Sequence, residues 1–163
     1  GGPWRRPRGH AVAAGLAVDA VAVNADPPGP AEARALDALI DAGAHVVHVT
    51  DDVLQAISPV RTPSGVVALA RRPQLSLAAV FDPAPALVVV AIDVQDPGNV
   101  GALVRTAEAA GATGFVAAGA SADPLGWKAL RAAMGSAFRL PIARISDTPG
   151  VASTSWRVPP ATP

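Results

Sequence analysis

Two α/β units in tandem are the fold class this sequence predicts, and three observations predict it. Strand-like apolar runs alternate with helix-periodic segments along most of the chain. The alternation is interrupted once, by a proline-bearing stretch at 73–86 that reads as a linker. The run Leu87–Ile92 is apolar at every position, as a parallel strand covered on both faces requires. A chain of 163 residues, half of them hydrophobic, has room for one medium domain or two small ones, because domains usually run to about 100–150 residues.

The elements follow in order. Residues 1–9 hold Pro3, Pro7 and the cluster Arg5, Arg6 and Arg8, fit neither period, and are expected to be irregular. Val18 to Asn24 reads as a strand ended by Asp26-Pro27-Pro28-Gly29-Pro30. Pro30 can supply the first turn of a helix, Leu36, Leu39 and Ile40 recur at helical spacing, and Gly43 is the stop. Val46 to Thr50 is a second strand, and Thr50-Asp51-Asp52 caps a short helix through Ile57. Arg61-Thr62-Pro63-Ser64-Gly65 turns into a third strand, Val66 to Ala70, closing a first domain at 1–72.

After the 73–86 linker the strand Leu87–Ile92 leads into the loop Asp93 to Asn99. The next helix is expected to bury a stripe of Val100, Leu103, Val104, Ala107 and Ala110 and to stop at Gly111. Gly114 to Ala118 is a strand, Asp123-Pro124 caps a helix with Trp127 in the core, and Leu140 to Ile145 is the last strand of a unit at 87–145. Residues 146–163, rich in Ser, Thr and Pro, are expected to be a disordered tail.

Composition narrows the function classes. Thirteen Lys and Arg balance thirteen Asp and Glu, so no bulk field recruits nucleic acid or anionic membrane and any such binding rests on local patches. With no cysteine there are no disulfides, thiolate nucleophiles or thiolate metal sites. His10, His45 and His48 do not form a ligand set, so no metal is expected, and His45 and His48, around a strand, read as core or edge packing. No apolar run approaches the roughly 20 residues of a membrane span and no signal-peptide core follows the first arginines, so a soluble cytoplasmic chain is expected.

The strand, loop and helix from Leu87 to Gly111 carry the chemistry. A loop leaving the C-terminal end of a parallel strand for a helix N-terminus is where open α/β sheets bind ligands. Asn99 sits at or beside the helix cap, and Gly101, Arg105, Glu108 and Ala112 form a second stripe opposite the apolar one. Gly101, one turn before Arg105, leaves room for another backbone or a ligand. Two readings stay open at this point: a plain cap and a solvated Arg105 paired with Glu108, or two ligand-facing groups.

The run Asp93-Val94-Gln95-Asp96-Pro97-Gly98-Asn99-Val100-Gly101-Ala102-Leu103-Val104-Arg105-Thr106-Ala107-Glu108-Ala109-Ala110-Gly111 closely resembles the first signature motif of the SpoU (TrmH-type) RNA 2′-O-ribose methyltransferases of the SPOUT superfamily. Lys128 to Pro141 looks like the family's next block, and residues 18–70, with Thr62-Pro63-Ser64-Gly65-Val66, are similar to its small substrate-binding domain. The resemblance covers about residues 10–145. It implies an α/β RNA-binding domain followed by the first half of a methyltransferase domain that is knotted in the family. It also implies S-adenosylmethionine as cofactor, ribosomal or transfer RNA as partner, and a homodimer.

By the same resemblance Asn99 and Arg105 are the catalytic pair. Arg105 would grip a phosphate beside the target ribose, since an arginine rarely serves as a base. Arg61, Thr62 and Gly65 in the first unit, and Lys128 and Arg131 one turn apart in the second, are the candidate RNA contacts; an ordinary solvated helix face is the alternative for the last two. The segment 19–52, with seven acids and only Arg34 as a base, is expected to face away from RNA. The family's later Gly-Glu loop and its Ile-Pro and Ser-Leu-Asn segment, which cradle the cofactor, have no counterpart here; Ser146-Asp147-Thr148-Pro149-Gly150 and the polar tail stand instead. On that ground the chain reads as a fragment with altered ends, as a frameshift leaves, and is expected to be inactive alone. The rival from another class is a non-catalytic RNA-binding module or remnant. A dinucleotide-binding protein is a weak third, because the loop after Ile92 has Gly98 and Gly101 but no G-x-G-x-x-G.

Overall fold

The structure, a computed structural model, describes residues 16–24, 30–60, 65–82 and 85–146. The expectations for residues 1–9, for most of the tail at 146–163, and for the turn residues Arg61 and Thr62 lie outside the described residues. The chain divides into two compact units, residues 1–74 and 75–163.

In the first unit β1 (Val18–Val23), α1 (Pro30–Asp41), β2 (His45–His48), α2 (Asp51–Ile57) and β3 (Val66–Ala70) follow one another. β1 is central, parallel to β2 and antiparallel to β3, with a register irregularity between Val18 and Ala20. A crossover helix is what a parallel β1–β2 pair demands, and α1 supplies it. Alternate β1 residues point inward, so Val21 and Val23 join Leu39 and Ala44 in a small core flanked by Leu36, Val46 and Val66. Gly43, at φ 90°, ends α1 as expected, the amides of Gly43 and Ala44 donating back to Ile40 and Leu39 carbonyls at 2.8 and 2.9 Å. Ile40, expected on the buried face, is exposed. Thr50 stands at the N-cap of α2 but its hydroxyl makes no capping bond. His45 and His48 are exposed on the edge strand β2.

The second unit runs α3 (Leu77–Phe81), β4 (Val88–Ile92), α4 (Pro97–Ala109), β5 (Gly114–Ala118), α5 (Trp127–Ala133), a 3-10 turn at Ser136–Phe138 and β6 (Ile142–Ile145). The sheet order is β4-β5-β6, parallel throughout. Every residue of the central strand β5 is buried, as a strand covered on both faces must be. Phe115, Ala117, Ala91 and Ile142 face a core with Val100, Val104 and Ala107 of α4, Leu125 and Ala133. Val116 and Ala143 face the other way, onto Val80 of α3.

The stretch 73–86, expected as a linker, therefore carries a structural helix. Pro73, Pro83 and Pro85 punctuate it, but Ser76 caps the turn between them, its hydroxyl accepting from the Ala79 amide at 3.3 Å. Val80 is fully buried, so close to Gly114 that a Cβ there would lie 2.5 Å from Val80 Cγ1. Three further expectations are corrected. Leu103 and Ala110 are exposed, and Gly101 takes their place on the buried face of α4. Trp127 is 43% exposed rather than core, because the buried face of α5 consists of Ala129 and Ala133. Asp123 and Pro124 form a turn before α5, with Asp123 accepting from the Leu125 amide at 3.0 Å, and the cap itself is Gly126. Among the described residues no helix is long and apolar enough to cross a membrane.

Candidate active site at the C-terminal rim of the second sheet

The rim is built where β4 and β5 end. Asp93 leaves β4 with φ 55°, in the left-handed region a non-glycine residue enters only when held there. Its carboxylate holds the Ala120 amide at 2.8 Å and its own amide donates to the Ala118 carbonyl at 3.2 Å. Ser121, 2% exposed, ties the same corner together: its Oγ accepts from the Val94 amide at 3.1 Å and lies 2.7 Å from the Ala118 carbonyl and 3.1 Å from that of Ala91. A buried hydroxyl so placed satisfies backbone groups of two strands and the loop at once. Neither residue was singled out by its sequence context, because the contacts span 27 to 30 positions.

Asn99 is not the cap of α4. Asp96 is: its Oδ1 accepts from the Asn99 amide at 2.7 Å, and Pro97 takes the first helical position. Asn99 is thus the third residue of the helix, exposed, and its carboxamide makes no hydrogen bond among the described residues. The Asp96-Pro97 pair before an apolar-periodic run is the sequence signal that could have located the cap.

Arg105 is exposed and has no partner among the described residues. The ion pair with Glu108, one of the two readings left open by the sequence, does not form. Glu108 is gripped by Arg139, Nε donating to Oε1 and Nη2 to Oε2 at 2.8 Å, a two-bond fork from the turn after the 3-10 segment to the last full turn of α4. Hydrogen bonding to Glu108 holds the Arg139 guanidinium above its ordinary pKa, against the opposing effect of burial. Along α4, Asn99 and Arg105 stand six residues apart, roughly 9 Å in rise and about 120° around the axis. They share a helix without touching.

Gly101 leaves room for a backbone, as expected, and that backbone is α5. A Cβ on Gly101 would stand 2.2 Å from the Ala129 carbonyl oxygen and 2.7 Å from Ala132 Cβ. α5 is thereby drawn against the Gly101 stripe, and its other face is open: Trp127, Lys128 and Arg131 are exposed, with Lys128 Nζ 5.5 Å above the Trp127 ring. Gly65, the one described residue of the candidate RNA contacts in the first unit, sits at φ 76°, its carbonyl accepting from the Asn24 amide at 3.1 Å. The described residues hold no group of three or more His, Asp and Glu that a metal could join. Every buried polar side-chain atom among them has a partner.

Residues 86–154 match the model of the SpoU rRNA Methylase family. The 23S rRNA (guanosine(2553)-2′-O)-methyltransferase RlmP of Bacillus subtilis is 36% identical over 106 residues, covering 64% of this chain and 40% of that protein. The crystal structure of the AdoMet-bound rRNA methyltransferase from Sinorhizobium meliloti superposes with TM-score 0.70 at 30% identity, over 87% of this chain and 52% of that one. The SpoU methyltransferase AviRb from Streptomyces viridochromogenes, in complex with AdoMet, superposes with TM-score 0.74 at 26% identity, over 88% and 52%. The chain spans about half the length of these relatives or less. The loop, helices and strands around the rim, from β4 to β6, thus lie within the segment that matches the SpoU rRNA methylase family.

Proposed function

We propose that the chain serves 2′-O-methylation of ribosomal RNA and that α4 forms the acceptor side of the site. The observation that carries this reading is Arg105: an exposed guanidinium without a partner among the described residues, on the helix that leaves the C-terminal rim of a parallel sheet. A guanidinium, which stays protonated, does not take the hydroxyl proton. It grips the phosphate beside the ribose through two parallel N–H bonds and favours the developing alkoxide electrostatically. Asn99, its amide group freed by the Asp96 cap, donates to or accepts from the ribose and fixes its orientation, which is the larger part of aligning an in-line displacement.

Lys128 and Arg131 on the open face of α5 hold flanking phosphates. Arg61, Thr62 and Gly65 form a second RNA contact on the first unit. The family's homodimer and a cytoplasmic setting belong to the same proposal. S-adenosylmethionine supplies the reactive methyl in this chemistry. At the rim, Ser121 Oγ and Asp93 Oδ1 are already engaged by backbone.

The test extends the chain with the C-terminal segment of a full-length relative and supplies ribosomal RNA and methyl-labelled S-adenosylmethionine. Label in an alkali-stable dinucleotide, the mark of a blocked 2′-hydroxyl, is the expected result. Label on a base overturns the reading. RNA binding without any label leaves the chain as a non-catalytic RNA-binding module.

A further inference from the structure

We propose that Arg139 is a positioning residue for Arg105: by holding Glu108 in a two-bond ion pair it keeps that carboxylate from capturing Arg105, so the Arg105 guanidinium stays available to an RNA phosphate. This inference rests on the reading of Arg105 given above.

Residues three apart on a helix are neighbours, and an Arg and a Glu so placed attract each other. Left to themselves, Arg105 and Glu108 are such a pair. In the folded protein they are not paired, because Glu108 is engaged from outside the helix by a residue 31 positions away. The competition is uneven. The fork of Arg139 meets the carboxylate through Nε and Nη2 together, whereas a local pair on the helix surface is a weak, solvent-screened contact. Arg139 and Glu108 side chains are 40% and 29% exposed, against a fully solvated helix face for a surface pair. Pairing also cancels the negative charge that Glu108 would otherwise set beside an incoming phosphate. The arrangement therefore does two things at one place: it frees a cation and neutralises an anion.

A plain staple between α4 and the 3-10 turn makes a different prediction, and a double substitution separates the two. Binding of a short fluorescein-labelled single-stranded RNA to the whole chain is measured by anisotropy over a salt series, with melting curves for each variant. Arg105→Ala sets the reference, weakening binding and lowering the slope of log K against log salt by about 0.7, one phosphate contact. Arg139→Gln, which releases Glu108, is expected to weaken binding about two- to five-fold, the size of a helical ion pair that must be broken before the phosphate is met, and to lower the slope in the same direction. Adding Glu108→Gln to Arg139→Gln removes the competitor and is expected to restore both affinity and slope, although the staple is still absent and the melting temperature stays low. Arg139→Lys, a point charge that still holds Glu108, is expected to bind near the unsubstituted level and covers the case in which Arg139→Gln fails to fold.

Should the double variant bind as weakly as Arg139→Gln alone, Arg139 is only a staple and the proposal is overturned. Unchanged binding by Arg105→Ala overturns the reading of Arg105 itself, and the proposal with it. The two failures are distinct because the first leaves the Arg105 effect intact.

Discussion

Gly101→Ala sets two well-known effects against each other, and the structure decides the sign. On helix propensity alone alanine is better than glycine by about 1 kcal/mol, so a reading from sequence predicts stabilisation. In the folded chain the new Cβ would stand 2.2 Å from the Ala129 carbonyl oxygen and 2.7 Å from Ala132 Cβ, where ordinary contact begins at 3.4 Å. The first obstacle is backbone and cannot rotate away. α4 and α5 must therefore part by about 1 Å along that seam, and the interior on both sides of it is filled by Val100, Val104, Ala129 and Ala133. Overpacking of this kind costs about 1–3 kcal/mol, at the upper end when backbone is the obstacle. The net is a loss of about 1–2 kcal/mol, or about 5–15 °C in melting temperature for a unit of this size. Calorimetry on the whole chain, with hydrogen exchange of the β5 amides to assign the transition to the second unit, reads the effect. Ala109→Gly, at an exposed position of the same helix, is the control and should cost only its propensity, about 1 kcal/mol. A melting temperature that stays level or rises in Gly101→Ala refutes the close approach of α5 to α4.

Arg105→Ala should leave the melting temperature within about 0.5 kcal/mol of the parent, since it removes no contact among the described residues, yet cut methyl transfer by about 10²-fold in the extended protein, with Arg105→Lys rescuing poorly. Val104→Ala is the converse control: fully buried, it should cost about 2 kcal/mol with a smaller direct effect on turnover, read by the same melting and transfer assays. Ser121→Ala leaves the Val94 amide without its acceptor and should cost about 1–3 kcal/mol, with faster hydrogen exchange at Val94 as the specific mark; an unchanged exchange rate there contradicts the role given to the hydroxyl.

Strand β4 and the end of α4 were legible because an unbroken apolar run and a stop glycine are local signals, whereas the start of α4 at Pro97 falls inside the stretch expected as a loop through Asn99. Contact partners were not legible. Glu108 has Arg105 three residues before it, and only the fold reveals that Arg139 reaches it first. Leu103 and Gly101 were exchanged because hydrophobicity ranks leucine above glycine, whereas the seam with α5 selects by size. Trp127 was misplaced for a related reason: Ala129 and Ala133 already fill the narrow space beneath α5, leaving no volume for an indole. The helix at Leu77–Phe81 was hidden by the prolines around it, which mark its boundaries rather than its absence.

The placement of Val80 bears on how the chain is made. It precedes the sheet in sequence, yet it is sealed by Val116 of the middle strand and Ala143 of the last, the latter some sixty residues downstream. Bringing the two ends together costs loop-closure entropy before any contact repays it. On the ribosome, then, α3 can meet Val116 of β5 early, but the core around Val80 is closed only once Ala143 of β6 has emerged. For that interval Val80 and Val116 lack the cover of Ala143, and a translational pause placed before residue 142 would lengthen the exposure, whereas one placed well after it would not.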